Sequence, residues 1–191
     1  AGMLSLPREL TLTDDGLHQA AAREICLLRR RCHFAASAQV TSATPRELGC
    51  VSRTVDIRAT LHRSADGRTS TGLRVVTSAD DSEYLALGID PFNGDLIVDG
   101  DAASRDDRAK KGSWRIPAVV PPGGAVGLRA IIDRSVVEVF LDGGQVLTLR
   151  FYPTGETDWR VVAEAAGPGE SLVTVQAWEL APLRIDDRSL G

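Results

Sequence analysis

The chain has 191 residues, 43% apolar, 25% charged and 5% aromatic, with a formal net charge of -4. That length suits one domain, or a domain with an arm, and it can bury a core without metals or disulfides. The 22 basic residues stand against 26 acidic ones, which speaks against nucleic acid as a partner; a mean hydropathy of -0.07, with no apolar run near ~20 residues, excludes a membrane-spanning helix. Lysine occurs only at 110 and 111, which leaves 20 arginines spread over the whole chain. Their even spread reads as coding bias.

Ala1-Gly2-Met3 runs straight into Leu4-Ser5-Leu6-Pro7, with neither a charged leader region nor a long apolar one. A strand-like pattern this early suggests a piece of something longer. Ala21 to Cys32 fits either a helix or a strand with a loop. Cys26, Cys32 and Cys50 are odd in number and lack a C-x-x-C, which argues against a disulfide framework and a zinc site. They read as small buried hydrophobes. From Val51 to His62 apolar and polar residues alternate: Val51, Val55, Ile57, Ala59 and Leu61 share a face with Arg53, opposite Ser52, Thr54, Asp56, Arg58, Thr60 and His62. That pattern predicts a half-buried strand.

Tyr84 to Ile89 and Leu96 to Val98 flank Asp90-Pro91-Phe92-Asn93-Gly94-Asp95, a hairpin turn in which Asn93-Gly94 tolerates positive φ. Gly100 to Lys111 is polar and aperiodic, a long exposed loop. Leu128 to Ile132, Val136 to Leu141 and Gln145 to Phe151 form a three-strand meander. Trp159 to Ala163 and Leu172 to Leu180 add two strands around Gly167-Pro168-Gly169. Short strands at this spacing with glycine-rich turns predict an all-β sandwich or barrel.

Little in the chain announces chemistry. A glycosidase needs two carboxylates about 5 Å apart for retention, or up to about 9.5 Å for inversion. Glu138 and Asp142 share a strand face but stand roughly 13 Å apart along it. Asp90 and Asp95 flank a tight hairpin and could approach to about 5 Å, yet aspartates around such a turn ordinarily cap backbone amides in solvent. His18, His33 and His62 lack ligand spacing, and no G-x-S-x-G elbow or phosphate-binding glycine loop occurs. Among the aromatics, Trp178 reads as core by its alternation with Leu172 and Leu180. Trp114, after the charged loop, and Trp159, at a sandwich edge, are the candidates for stacking on a sugar ring.

Two stretches are more specific. Met3-Leu4-Ser5-Leu6-Pro7-Arg8-Glu9-Leu10-Thr11-Leu12 resembles the LPREL segment of glycoside hydrolase family 32, the invertases, levanases and other β-fructosidases. Leu128 to Phe140 is similar to the same family's DxSxVExF hairpin and continues through Gly143-Gly144 to Arg150-Phe151-Tyr152-Pro153-Thr154. Gln19 through Glu24 to Leu28-Arg29 resembles its Q…E..LR element with alanine in place of the usual proline, which favours irregular strand and loop over Ala21 to Cys32.

The resemblance implies a two-sheet antiparallel β-sandwich of the concanavalin or lectin-like jelly-roll type. Residues 1–12 would be a lead-in strand or linker from an N-terminal five-bladed catalytic propeller of the same protein, and 13–191 a single sandwich domain. Leu4, Leu6 and Leu10 would lie at the junction. The parent would hydrolyse β-fructosyl bonds in sucrose or fructans such as inulin and levan, with retention and without a cofactor or metal. In some members of the family the module also supplies homodimer contacts. The family's N-D-P-N-G, R-D-P and E-C motifs are absent, and Arg105-Asp106-Asp107 departs from R-D-P at its last position. The resemblance therefore brings no catalytic residue to any position here. The rival expectation is an autonomous carbohydrate-binding module using Trp114 or Trp159.

Overall fold

The computed structural model describes residues 5–155 and 158–182. β1 (Arg8–Thr13) and β2 (Gly16–Ala21) make a separate two-stranded ribbon, and a 3-10 turn (Arg23–Leu28) leads into β3 (Arg29–Thr41). The remaining strands follow as β4 (Arg46–Val51), β5 (Thr54–His62), β6 (Ser70–Val76), β7 (Tyr84–Ile89), β8 (Leu96–Asp99), β9 (Ser113–Ile116), β10 (Ala125–Asp133), β11 (Val136–Leu141), β12 (Val146–Arg150), β13 (Trp159–Ala166) and β14 (Glu170–Leu180). They form two six-stranded antiparallel sheets, ordered β12-β11-β10-β5-β14-β3 and β4-β13-β6-β7-β8-β9. The fold is the expected two-sheet sandwich.

Period-two alternation builds the core between the sheets. Val55, Ile57, Ala59 and Leu61 of β5 and Val173, Val175 and Ala177 of β14 face Leu73 and Val75 of β6, Leu85 and Leu87 of β7, and Trp159, Val161 and Ala163 of β13, all in one buried cluster. The expected hairpin and meander are present, with β7 paired to β8 and β10, β11 and β12 in sequence. Gly94 takes φ +82°, and a Cβ there would collide with the Val120 backbone, so the turn requires glycine twice over.

Several details differ from expectation. The alternation starting at Val51 is not one strand: Val51 ends β4 and pairs with Trp159 in one sheet, whereas β5 begins at Thr54 in the other. The irregular segment within Ala21 to Cys32 contains the 3-10 turn, which buries Ile25. The loop after Gly100 is exposed over most of its length but buries Ala103 and Ser104. β11 is buried at all six residues. Its inner face meets the sandwich core, and on the outer side Phe140 joins Ala21, Ile25, Ile131 and Leu180 in a second cluster that Leu6 and Leu28 flank. Burying a side chain such as Phe140 or Ile131 contributes about 1.5–3 kcal/mol, and that gain fastens the ribbon to the sheet.

Candidate docking face

Glu138 is 1% exposed in the middle of β11, a charge inside an apolar run. A buried carboxylate needs partners, and Leu6, Arg8 at the start of the ribbon and Thr148 supply them. The Leu6 N–H donates to Oε1 at 2.5 Å, and Arg8 Nη2 donates to Oε2 at 2.7 Å. Thr148 Oγ1 donates from β12 at 3.3 Å. The Arg8 guanidinium lies 5.7 Å from the centre of the Phe140 ring and also donates to Gln19 Oε1 at 3.1 Å. Two backbone bonds, Gln19 N–H to Gly144 O and Ala22 N–H to Pro7 O, complete the attachment. The base of the ribbon is thus fixed on the sheet.

The side that carries Arg8, Gln19 and Ala21 at the base is open further along the ribbon. Direct pairing of Leu12 with Leu17 and of Leu10 with Gln19 puts the three leucines on one side, where they are 62%, 83% and 55% exposed for Leu10, Leu12 and Leu17. Leu27 of the 3-10 turn is 83% exposed as well. Three leucines this open on one small ribbon form the kind of apolar patch that marks an interaction surface.

Beside the ribbon, the outer face of the first sheet carries a second buried acid. Asp56 is 0% exposed. Arg129 donates to Oδ1 from Nε at 3.0 Å and to Oδ2 from Nη2 at 2.8 Å, and Arg29 Nε donates to Oδ2 at 2.8 Å. Arg29 in turn stacks on Trp178 at 3.7 Å. Trp178 therefore lies half-buried on the outer face and not in the core: its alternation with Leu172 and Leu180 holds, but the face they share is the outer one, while Val173, Val175 and Ala177 fill the core. Sequence reading placed Asp56 on a solvated polar face and gave Glu138 no partner. An acid embedded among apolar residues in Val136 to Leu141 was the available signal; for Asp56 there was none, since its cover comes from distant segments.

The residues singled out from sequence fall in scattered places. Leu4 lies outside the described residues. Leu6 is half-buried against the second cluster, and Leu10 is on the open ribbon face. Trp159 is 1% exposed and packs in the core with its ring 5.8 Å from that of Phe151, so it presents no face to a sugar. Trp114 is half-buried and packs against the core. The cysteines are free and not buried as expected: Cys26 is half-buried, while Cys32 and Cys50 are exposed at strand positions that face outward. Asp90 and Asp95 are brought together, but by Arg115, whose Nη1 lies 2.8 and 3.3 Å from their carboxylates. Burial pushes the Asp90 carboxyl up; Arg115 and the Phe92 N–H outweigh it and hold the group below the usual carboxylate range. A general acid must keep its proton near neutral pH, so Asp90 is unsuited to glycosidic protonation.

The architecture is that of an antiparallel β-sandwich carrying a separate two-stranded ribbon. The model of the glycosyl hydrolases family 32 C-terminal domain matches residues 26–179, and the chain belongs to that family. No curated protein sequence matches it. Among solved structures, the exo-inulinase of Aspergillus awamori superposes with a TM-score of 0.74 at 19% identity, covering 93% of this chain and 35% of that enzyme. Fructan 1-exohydrolase IIa of Cichorium intybus, solved with 1-kestose, gives 0.74 at 19% identity over 94% of this chain and 41% of its own. A β-fructofuranosidase of Bombyx mori gives 0.67 at 20% over 92% and 32%. The chain thus spans well under half the length of these enzymes.

Proposed function

We propose that the chain is the non-catalytic C-terminal module of a β-fructosidase acting on sucrose or on fructans of the inulin or levan type. It would support an N-terminal five-bladed catalytic propeller, with residues 1–12 leading in from it. The single observation that carries this reading is the open leucine face of a ribbon that is itself rigidly anchored through Arg8 and Glu138. A surface held in place yet left bare is preorganised for a partner. Burying it stabilises whatever domain binds there, by mass action on the folded state. Leu6 sets the angle of the lead-in, and Leu10 makes the contact.

The chain should release no fructose from sucrose, inulin or levan by itself, and the longer protein with the upstream coding region should release it. Fructose release by the isolated chain, abolished by no upstream deletion, would overturn the reading. A lectin-like role rests on Trp114 alone and predicts retardation of the isolated chain on inulin or levan gels, lost in Trp114→Ala.

A further inference from the structure

Arg58 of β5 and Arg129 of β10 stand directly opposite each other on the outer face, and Gln176 of β14 completes the row. Like charges in directly paired positions destabilise an antiparallel sheet. Asp56 answers only part of this charge, because its carboxylate is already shared by Arg29 and Arg129. Two guanidinium groups thus share one carboxylate, and a third stands opposite Arg129 without one. Arg58 makes no ion pair among the described residues. Its Nη2 donates to the Cys26 thiol at 3.8 Å, and Arg129 Nη2 reaches the same sulfur at 3.8 Å. The two guanidinium groups therefore converge on one point.

That point opens onto a cleft of about 870 Å³ between the ribbon and the sheet. The next row of the sheet adds the hydroxyls of Thr60 and Thr174, and Gln176 adds an amide; the cleft is also lined by Glu9, which is paired with Arg23, and by Asp142 after β11. The leucines of the ribbon lie on its other side, so the cleft is distinct from the docking face. Its size falls within the range of small-molecule sites. We propose that this cleft binds an oxyanion, a carboxylate or phosphate group that accepts from Arg58 and Arg129, with Gln176 and Thr174 orienting what the group is attached to. Arg58 presents a fork that no carboxylate holds among the described residues, and Arg129 adds only the N–H groups that Asp56 leaves it. The anion adds negative charge beside Arg58, which has no carboxylate partner among the described residues.

The test uses the isolated chain at low salt, titrated with inorganic phosphate and separately with citrate, followed by amide NMR shifts and by Tm. The site predicts saturable shifts centred on β5, β10 and the 3-10 turn, and a Tm that rises with phosphate. Arg58→Ala should weaken binding about tenfold or more, the loss of roughly one charge-assisted bond, and should raise the Tm of the phosphate-free chain by relieving the like-charge pair. Arg46→Ala, an exposed arginine with no bearing on the cleft, should change neither. Absence of saturation with both anions, or an equal effect of Arg46→Ala, would overturn the proposal. Repeating the titration in the longer protein separates two sources of the anion. Retained binding assigns a free ligand; lost binding, with no rise in Tm on adding phosphate, assigns an acidic side chain of the upstream domain.

Discussion

Arg63 lies buried and spends its guanidinium on backbone carbonyls. Nη1 donates to Val120 O at 2.7 Å, Nε and Nη2 donate to Pro91 O at 3.1 and 2.9 Å, and Nη2 also donates to Phe92 O at 3.0 Å. With Arg8 on Glu138 and the arginines on Asp56, it shows that the excess of arginine over lysine has structural uses beyond coding bias. Each of these sites needs a planar fork, which an ammonium cannot provide. Arg63→Lys should therefore lower stability by about 2 kcal/mol, since carbonyls of the 90–95 turn and of Val120 lose donors inside the protein. Urea unfolding would show this as a lower midpoint at unchanged slope; an unchanged midpoint would remove the fork from the account. Glu83 is the acidic counterpart, wholly buried. It accepts from the Thr154, Gly155 and Arg105 N–H groups and from the Thr154 hydroxyl. Burial pushes its carboxyl up, and these donors more than reverse that, holding it below its ordinary 4.5. A depressed acid contributes stability that is complete above the unfolded-state value and is lost as pH falls through the folded one. Wild-type Tm should fall on acidification below about 4.5. Glu83→Gln should start lower at neutral pH, by about 2 kcal/mol, and show a flatter acid limb. Parallel acid limbs in the two proteins would contradict this role.

The ribbon is the element whose behaviour the sequence conceals most. Two paired strands alone are marginal in water, so its order comes from Glu138 and from the second cluster. Glu138→Ala should release it without unfolding the sandwich. Amide exchange should speed up over residues 8–21 while the β5 and β14 amides stay protected; uniform loss of protection would show that ribbon and sandwich unfold as one. Local patterns made the hairpin at Asp90 to Asp95 and the meander from Leu128 to Phe151 legible, because turn chemistry and period-two alternation are written within a few residues. Alternation says which face a residue is on, but not what covers that face. Asp56 and Trp178 were misread for that reason: the ribbon, the 3-10 turn and Arg29 cover the outer sheet from far away in sequence. The break between Val51 and Thr54 was hidden because both strands kept the same parity while changing sheets. Trp159 looked like an edge residue after a polar loop, yet the volume between the sheets at Phe151 takes the whole indole. The cysteines were read from a general tendency to be buried, which strand parity overrides at Cys50 and a break in the β3–β14 register overrides at Cys32.

At the scale of the molecule, the chain is a family 32 C-terminal sandwich whose buried acids Asp56, Glu83 and Glu138 are each held by donors from distant segments. Leu10, Leu12 and Leu17 share one side of the ribbon, and the proposed function assigns that surface to the upstream domain. The most direct measurement is the half-life of heat inactivation of the longer protein, wild type against a Leu10→Ser, Leu12→Ser, Leu17→Ser triple variant, with the isolated chain carrying the same changes as control. The isolated triple variant should unfold within about 1 kcal/mol of its wild type, because exposed side chains contribute little alone. In the longer protein the variant should lose fructose-releasing activity several-fold faster on heating. Equal half-lives, with the isolated chains also alike, would contradict the claim that the ribbon is the seat of the catalytic domain.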